Sequence, residues 1–251
     1  MRFADRKVLV TGGARGIGAA TALAFRDEGA RIAIGARSIA SYDAFIARHG
    51  ADGFLPAIGR IGRRSNSTSM VLAAIGDLGG LDILVNSAGI FAERPIEAVD
   101  QEHWDETMEV NLAGTFFCIQ AALPALSKAE DGVVINVVSD AGLMGYSKSP
   151  VYSAAKGGVA NLTQALAIEL ARRVRVNGVC PGNVDTDMIQ EAARASGDPA
   201  AYLKAADDYS PLKRMAKPAE VAAAILYLAS PIAAAINGAL LPIDGGGVCG
   251  V

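Results

Sequence analysis

Short apolar runs and helix-length segments take turns along this chain, and that alternation constrains its fold more than any other feature. KVLVT (7–11), RIAIG (31–35), GFLPAI (53–58), DILVN (82–86), VVINVVS (133–139), VRVNGVC (174–180) and ALLPI (239–243) read as strands. Helical stretches separate them at 16–28, 39–48, 66–78, 101–127, 151–172 and 218–229. Such alternation predicts an α/β chain: a parallel sheet with helices on both faces. Pro56 inside the third strand argues for an edge position. Pro150 marks the start of the helix at 151–172. No linker, repeat or low-complexity tract interrupts the pattern, so one domain over 1–251 is expected. The polar, Ala-rich segment 183–216 has no place in the sheet and is a candidate substrate lid.

With 251 residues, 51% hydrophobic and 20% charged, the chain has ample material for one large core. A net charge of −3 gives no electrostatic footprint for nucleic acid. Cys118, Cys180 and Cys249 are odd in number and lack metal spacing. Each reads as a buried or incidental thiol in a reducing compartment. The start, MRFADRK, has no apolar signal core, so a cytoplasmic location is expected. Val221 to Ile243 carries no charge and is about the length of a membrane span. Ser230-Pro231 and Asn237-Gly238 break it, however, and predict a buried helix followed by a central strand, with no membrane partner.

Three motifs carry chemistry. VTGGARGIG joins the first strand to the first helix. Gly12, Gly16 and Gly18 allow a tight turn, and the helix N-terminus behind them suits a pyrophosphate. The spacing is G-x3-G-x-G, and its place between strand and helix gives it weight. Tyr152 and Lys156 in YSAAK lie one helical turn apart, on one face. An ammonium there is expected to lower the phenol's pKa from its ordinary value of about 10. The pair could then exchange a proton with a reacting oxygen. Ser139 lies upstream, at the end of the fifth apolar run, placed to donate a hydrogen bond to that oxygen. Asn111, in MEVNLAG, is a polar residue in mid-helix that wants a reason.

TGGARGIG, NSAG at 86–89, Asn111, Ser139, YSAAK and PGNVDT at 181–186 stand in one order. On these pieces the chain resembles the short-chain dehydrogenase/reductase family over essentially its whole length. Among its members, 3-oxoacyl-carrier-protein reductases and related carbonyl reductases or alcohol dehydrogenases look most similar. The resemblance implies a Rossmann-type sheet of seven strands in the order 3-2-1-4-5-6-7. It implies hydride transfer between a nicotinamide and a carbonyl or secondary alcohol. The substrate would be a 3-oxoacyl thioester, or alternatively a small ketone, sugar or cyclic alcohol. Ser139, Tyr152 and Lys156 would be the catalytic triad, and Asn111 would hold a water linking Lys156 to solvent. The cofactor would meet Gly12, Arg15, Gly16, Ile17, Gly18, Arg37, Asn86, Ala88, Gly89, Tyr152, Lys156, Pro181, Gly182, Val184 and Thr186.

Departures from the family pattern sharpen the expectations. The acid that would accept the adenosine ribose hydroxyls of NAD falls at Ala36. Arg15 and Arg37 occupy positions associated in the family with a 2′-phosphate, which a guanidinium matches bidentately. NADP(H) is therefore preferred over NAD(H). Arg60 replaces an Asp near adenine and would lie over adenine or assist that phosphate, or else join a solvated cluster with Arg63 and Arg64. Ser87 replaces the second Asn of the family's NNAG. Asp140 stands where a small neutral residue is usual. The substrate pocket is expected at Phe91, Leu143, Met144, Tyr146, Asn183, Val184 and Met188, with Lys148 either meeting a negative substrate group or pointing to water. Arg172 and Arg173 match where carrier-protein reductases dock acyl carrier protein, although they also serve as simple helix C-terminal cations. A homotetramer built on 101–127 and 151–172 is implied, and Ala154, Ala155, Gly157 and Gly158 would permit close packing of a helix or of the sheet. The competing functional class is a catalytically silent NADP(H)-binding sensor or scaffold.

Overall fold

The structure, a computed structural model, describes residues 1–249. Seven strands form one parallel sheet: β1 (Lys7–Thr11), β2 (Arg31–Ala36), β3 (Phe54–Ile58), β4 (Ile83–Asn86), β5 (Gly132–Val137), β6 (Val174–Pro181) and β7 (Leu240–Ile243). Their order is β3-β2-β1-β4-β5-β6-β7, as the resemblance implies. Pro56 lies in the edge strand β3, where its missing N–H costs no ladder bond. The last strand departs from expectation. It is not central but forms the other edge, and it too contains a proline, Pro242.

The side-chain alternation of the strands builds two cores. Val8, Val10, Ile32, Ile34, Ile83, Val85 and Val179 face α1 (Gly16–Asp27) and α9 (Pro218–Ala229), meeting Ala22, Phe25, Val221 and Ile225. Leu9, Ala33, Leu84, Val134 and Val176 face the other way, onto α3 (Arg64–Leu78) and α5 (Gly114–Leu126). Each fully buried Val, Leu or Ile contributes about 1.5–3 kcal/mol. Burial on both faces thus makes the register of every central strand costly to shift.

The helix expected at 101–127 is α4 (Gln101–Met108), a π turn at Glu109–Ala113, and α5. By length and composition Gln101–Leu126 could cross a membrane, but Cys118, Ile119, Ala122 and Leu126 are packed into the second core. The helix expected at 151–172 is α6 (Pro150–Glu169), opened by Pro150. Segment 183–216 is not irregular. It folds into α7 (Asp187–Ala195) and α8 (Pro199–Asp208), and a bridge between Val184 and Ala216 ties its two ends together.

Candidate active site

The strand order reverses beside β1. The crossovers from β1 and β4 therefore leave in opposite directions and open a crevice at the strands' carboxyl ends. The glycine turn sits there. Gly12 has φ +64°, and a Cβ on it would come within 2.7 Å of the Ala88 backbone. A Cβ on Gly18 would overlap the Gly12 carbonyl. Only glycine lets the turn fold this tightly against the end of β4 and the start of α1. Arg15 stands at the N-cap of α1 without a side-chain cap. The first N–H groups of the helix therefore remain for a ligand.

A cleft of about 400 Å3 opens over this turn. Gly12, Arg15, Gly16, Ile17, Gly18, Arg37, Ala88, Gly89 and Thr186 line it, together with Ala36. Arg48 of α2 (Ile39–His49) and Arg60 also line it, and sequence reasoning missed Arg48. Its signal was its place on the helix after β2, one face with Ser41 and Phe45. Arg15 pairs with Glu191 at 2.9 Å and Arg60 with Glu106 at 2.9 Å. Arg63 stands at the N-cap of α3, where a cation opposes the helix dipole. Glu109 offsets it at 3.7 Å.

A second cavity of about 140 Å3 shares Ile17, Ser87, Gly89, Ile90, Thr186 and Met188 with the first. Ser139, Tyr152, Lys156, Pro181, Gly182 and Val184 line it, as do Phe91, Tyr146 and Asn183. Leu143 and Met144, expected there, do not. Leu143 packs beside Val138 and Cys180, and Met144 lies 3.7 Å from the Tyr209 hydroxyl. Lys148 lines neither space.

Two expected site residues lie behind the lining. Asn86 is buried, and its Nδ2 donates to Asn136 Oδ1 at 2.9 Å, across paired positions of β4 and β5. Asn136 in turn donates to Thr163 on α6 at 2.9 Å. The substitution at Ser87 leaves this link intact, because Ser87 contributes only its backbone N–H, to Thr11 Oγ1. Asn111 sits in the π turn, a frequent device at functional sites. Its amide accepts from Ile90 N and donates to Ile90 O, both at 3.0 Å. That pinning of the loop after β4 is the reason for a polar residue in mid-helix.

Tyr152 and Lys156 share one face of α6, with the lysine Nζ 5.8 Å from the phenol ring centre. Phe91 meets the same ring edge-on at 5.0 Å. Lys156 is 6% exposed and donates to the Val137 carbonyl at 2.8 Å. Burial pushes the Tyr152 phenol up to about 12, with Ser139 opposing through a hydrogen bond. Burial also pulls Lys156 down to about 8. The expected lowering of the phenol by its neighbour is thus not what the chain alone produces. Desolvation disfavours the charged form of both groups. Ser139 differs from expectation too. Its hydroxyl donates to Asp140 Oδ1 at 3.0 Å rather than standing free, and it accepts from Ala141 N at 3.2 Å.

Comparison with known proteins bears on this geometry. Residues 6–197 match the short chain dehydrogenase family. The chain belongs to that family. It is therefore an oxidoreductase of CH–OH and C=O groups that works with a nicotinamide cofactor. It is 37% identical to cis-4-hydroxycyclohexanecarboxylate dehydrogenase of Sinomonas cyclohexanicum, over 97% of each chain. It is 35% identical to a 3-oxoacyl-[acyl-carrier-protein] reductase of Thermotoga maritima, over 98% of this chain and 99% of that one. The solved structure of ligand-free aldohexose dehydrogenase from Thermoplasma acidophilum superposes with a TM-score of 0.89 at 28% identity, covering 99% of this chain and 96% of that one.

Proposed function

We propose that the protein is an NADP(H)-dependent oxidoreductase that interconverts a small secondary alcohol and its ketone. One observation carries the reading: Ser139, Tyr152 and Lys156 line a single cavity that opens into the glycine-turn cleft. The cleft fits a dinucleotide. Uncapped N–H groups at α1 suit the pyrophosphate. Arg15, Arg37, Arg48 and Arg60 supply four cations against the two acids Glu106 and Asp187, and guanidinium groups suit phosphate. Ala36 occupies the place of the ribose-binding acid, which favours the 2′-phosphate form. When bound, the nicotinamide supplies or accepts the hydride.

The chain's own residues do the rest. Tyr152 gives a proton to the substrate oxygen in reduction and takes it back in oxidation. Lys156 holds the ribose hydroxyls and keeps positive charge beside the phenol. Ser139 grips the same substrate oxygen, and Asn111 links Lys156 to solvent through a water. Pro181, Gly182, Val184 and Thr186 flank the nicotinamide, and segment 183–216 covers the substrate as a lid. Phe91, Tyr146, Val138 and Ile189 make the substrate wall largely apolar, as small-molecule pockets usually are.

A free cyclic or sugar alcohol suits this cavity better than a carrier-bound thioester. Arg172 and Arg173 precede the start of β6, whereas the site lies at its far end. The length of that strand, at about 3.3 Å per residue, separates the two by roughly 25 Å in one protomer. The test is cofactor consumption on a panel containing cyclohexanol, cyclohexanone, aldohexoses and a 3-oxoacyl thioester. Turnover with NADP(H) that is lost in Tyr152→Phe supports the reading. Tight NADPH binding with no turnover on any compound would make the protein a sensor or scaffold instead.

A further inference from the structure

Among the described residues, two charged side chains line the substrate cavity, Lys156 and Asp140. Lys156 has work in the proposed chemistry and Asp140 has none. Asp140 is nonetheless 3% exposed and firmly held. The Ser139 hydroxyl lies 3.0 Å from its Oδ1, Ala141 N donates to Oδ1 at 2.8 Å, and the Tyr209 hydroxyl donates to Oδ2 at 2.8 Å. Tyr209 caps the end of α8, so the carboxylate is tied to the segment that covers the cavity. Burial pushes its pKa up, and the hydrogen bonds from Tyr209, Ser139 and Ala141 oppose that by favouring the ionised form. A second acid stands close by. A Cβ on Gly182 would lie 3.2 Å from Asp140 Oδ2 and 3.1 Å from Asp244, which is 8% exposed.

No cation is left over to meet a negative group on a substrate. Lys156 Nζ donates to the Val137 carbonyl at 2.8 Å and, in the reading above, to the ribose hydroxyls. Arg94 pairs with Asp100 at 2.7 Å, and Lys148 lines neither space. Arg15, Arg37, Arg48 and Arg60 line the cofactor cleft and not this cavity. The space is small, about 140 Å3, so a charge anywhere in it stands near Asp140 with little water between. Like charges held that way repel strongly. A built-in clash of this kind is one way a site rejects the wrong ligand. An uncharged alcohol or ketone meets no such penalty.

We propose that Asp140 is a specificity-determining residue that keeps carboxylate-bearing substrates out, so that the protein acts on uncharged alcohols and ketones. This narrows the substrate class of the dehydrogenase reading above and rests on that reading. Hydroxy acids and oxo acids fall outside the class, and neutral cyclic or sugar alcohols fall within it.

The experiment measures dissociation constants at neutral pH with the NADPH-loaded protein, in which an alcohol cannot be oxidised. Two pairs of matched shape are compared: 4-hydroxycyclohexanecarboxylate with its carboxamide, and lactate with lactamide. Cyclohexanol is the reference. The wild-type protein should bind each amide at least about tenfold more tightly than its acid. Asp140→Asn keeps the shape and removes the charge, so each acid should come about tenfold closer to its amide. Any change this variant causes at Ser139, or in packing, touches both members of a pair and cancels in the ratio. If Asp140→Asn does not fold, Asp140→Ser carries the test with the same expected shift. Equal binding of acid and amide by the wild-type protein, or a ratio unchanged in the neutral variant, overturns the role of Asp140; cyclohexanol binding then leaves the dehydrogenase reading standing. Wild-type protein that binds neither cyclohexanol nor any of the four compounds overturns that reading and this proposal with it.

Discussion

A buried lysine and a half-buried phenol sit one turn apart, and desolvation disfavours the charged form of each. Tyr152→Phe removes the proton donor and should lower kcat by about 10²–10⁴, the usual worth of a positioned acid, with NADPH affinity retained. Turnover and fluorescence titration read the two separately. Lys156 makes a second prediction, on stability. Its pKa falls from 10.5 unfolded to about 8 folded. Below pH 8 the folded state carries the cost of a buried charge, and the cost is relieved as pH rises from about 8 to 10.5, the range in which the unfolded chain binds more protons. After allowing for the hydrogen bond to Val137, Lys156→Met should stabilise the cofactor-free protein by about 2 kcal/mol at neutral pH. That gain should vanish by pH 10.5 in thermal melts, while activity is lost throughout. Arg37 is exposed at the end of β2, beside Ala36. Arg37→Ala should weaken NADPH about tenfold and leave NADH nearly unchanged, because only the former carries the 2′-phosphate. Equal loss for both cofactors would contradict the assignment.

Helix continuity from Gln101 to Leu126 is interrupted by one π turn, and its purpose is visible at Asn111. The widened turn lets a buried amide reach both polar groups of the Ile90 backbone. Asn111→Leu strands that N–H and C=O, which should cost about 2–3 kcal/mol of stability in denaturant unfolding. The glycine turn fails differently. Gly18→Ala would drive a methyl into the Gly12 carbonyl, so α1 must move away from β1. Cofactor affinity should collapse even where the sheet survives. On α6 the small residues divide their duties. Ala155 is fully buried and Gly158 packs on Leu112, whereas Ala154 remains exposed.

Over the whole molecule, both faces of the sheet are covered, and large apolar side chains remain outside on the very helices named for assembly. Trp104 is 44% exposed on α4, Phe116 38% on α5 and Ile168 82% on α6. A homotetramer through these helices would cover them. Light scattering should give four times the 25.7 kDa protomer mass, and Phe116→Glu should give smaller species. A wild-type protomer in solution would refute the assembly. Along the chain, the order of elements was legible because apolar runs in a parallel sheet are buried on both sides and leave little ambiguity. The boundaries held within a few residues for the same reason, with Pro150 and the glycine turn as punctuation. The two helices inside 183–216 were not legible, because their short, Ala-rich sequences bury few side chains.

Sequence alone determined the strand order, the glycine turn and the three residues that share a cavity, since each follows from local pattern and spacing or from family resemblance. Only the folded chain decided where the protons and charges rest. Ser139 gives its hydrogen to Asp140, Tyr209 reaches that carboxylate from 69 residues away, and burial sets Tyr152 and Lys156 apart. Desolvation and long-range hydrogen bonds depend on what packs around a group, and no spacing along the chain encodes that.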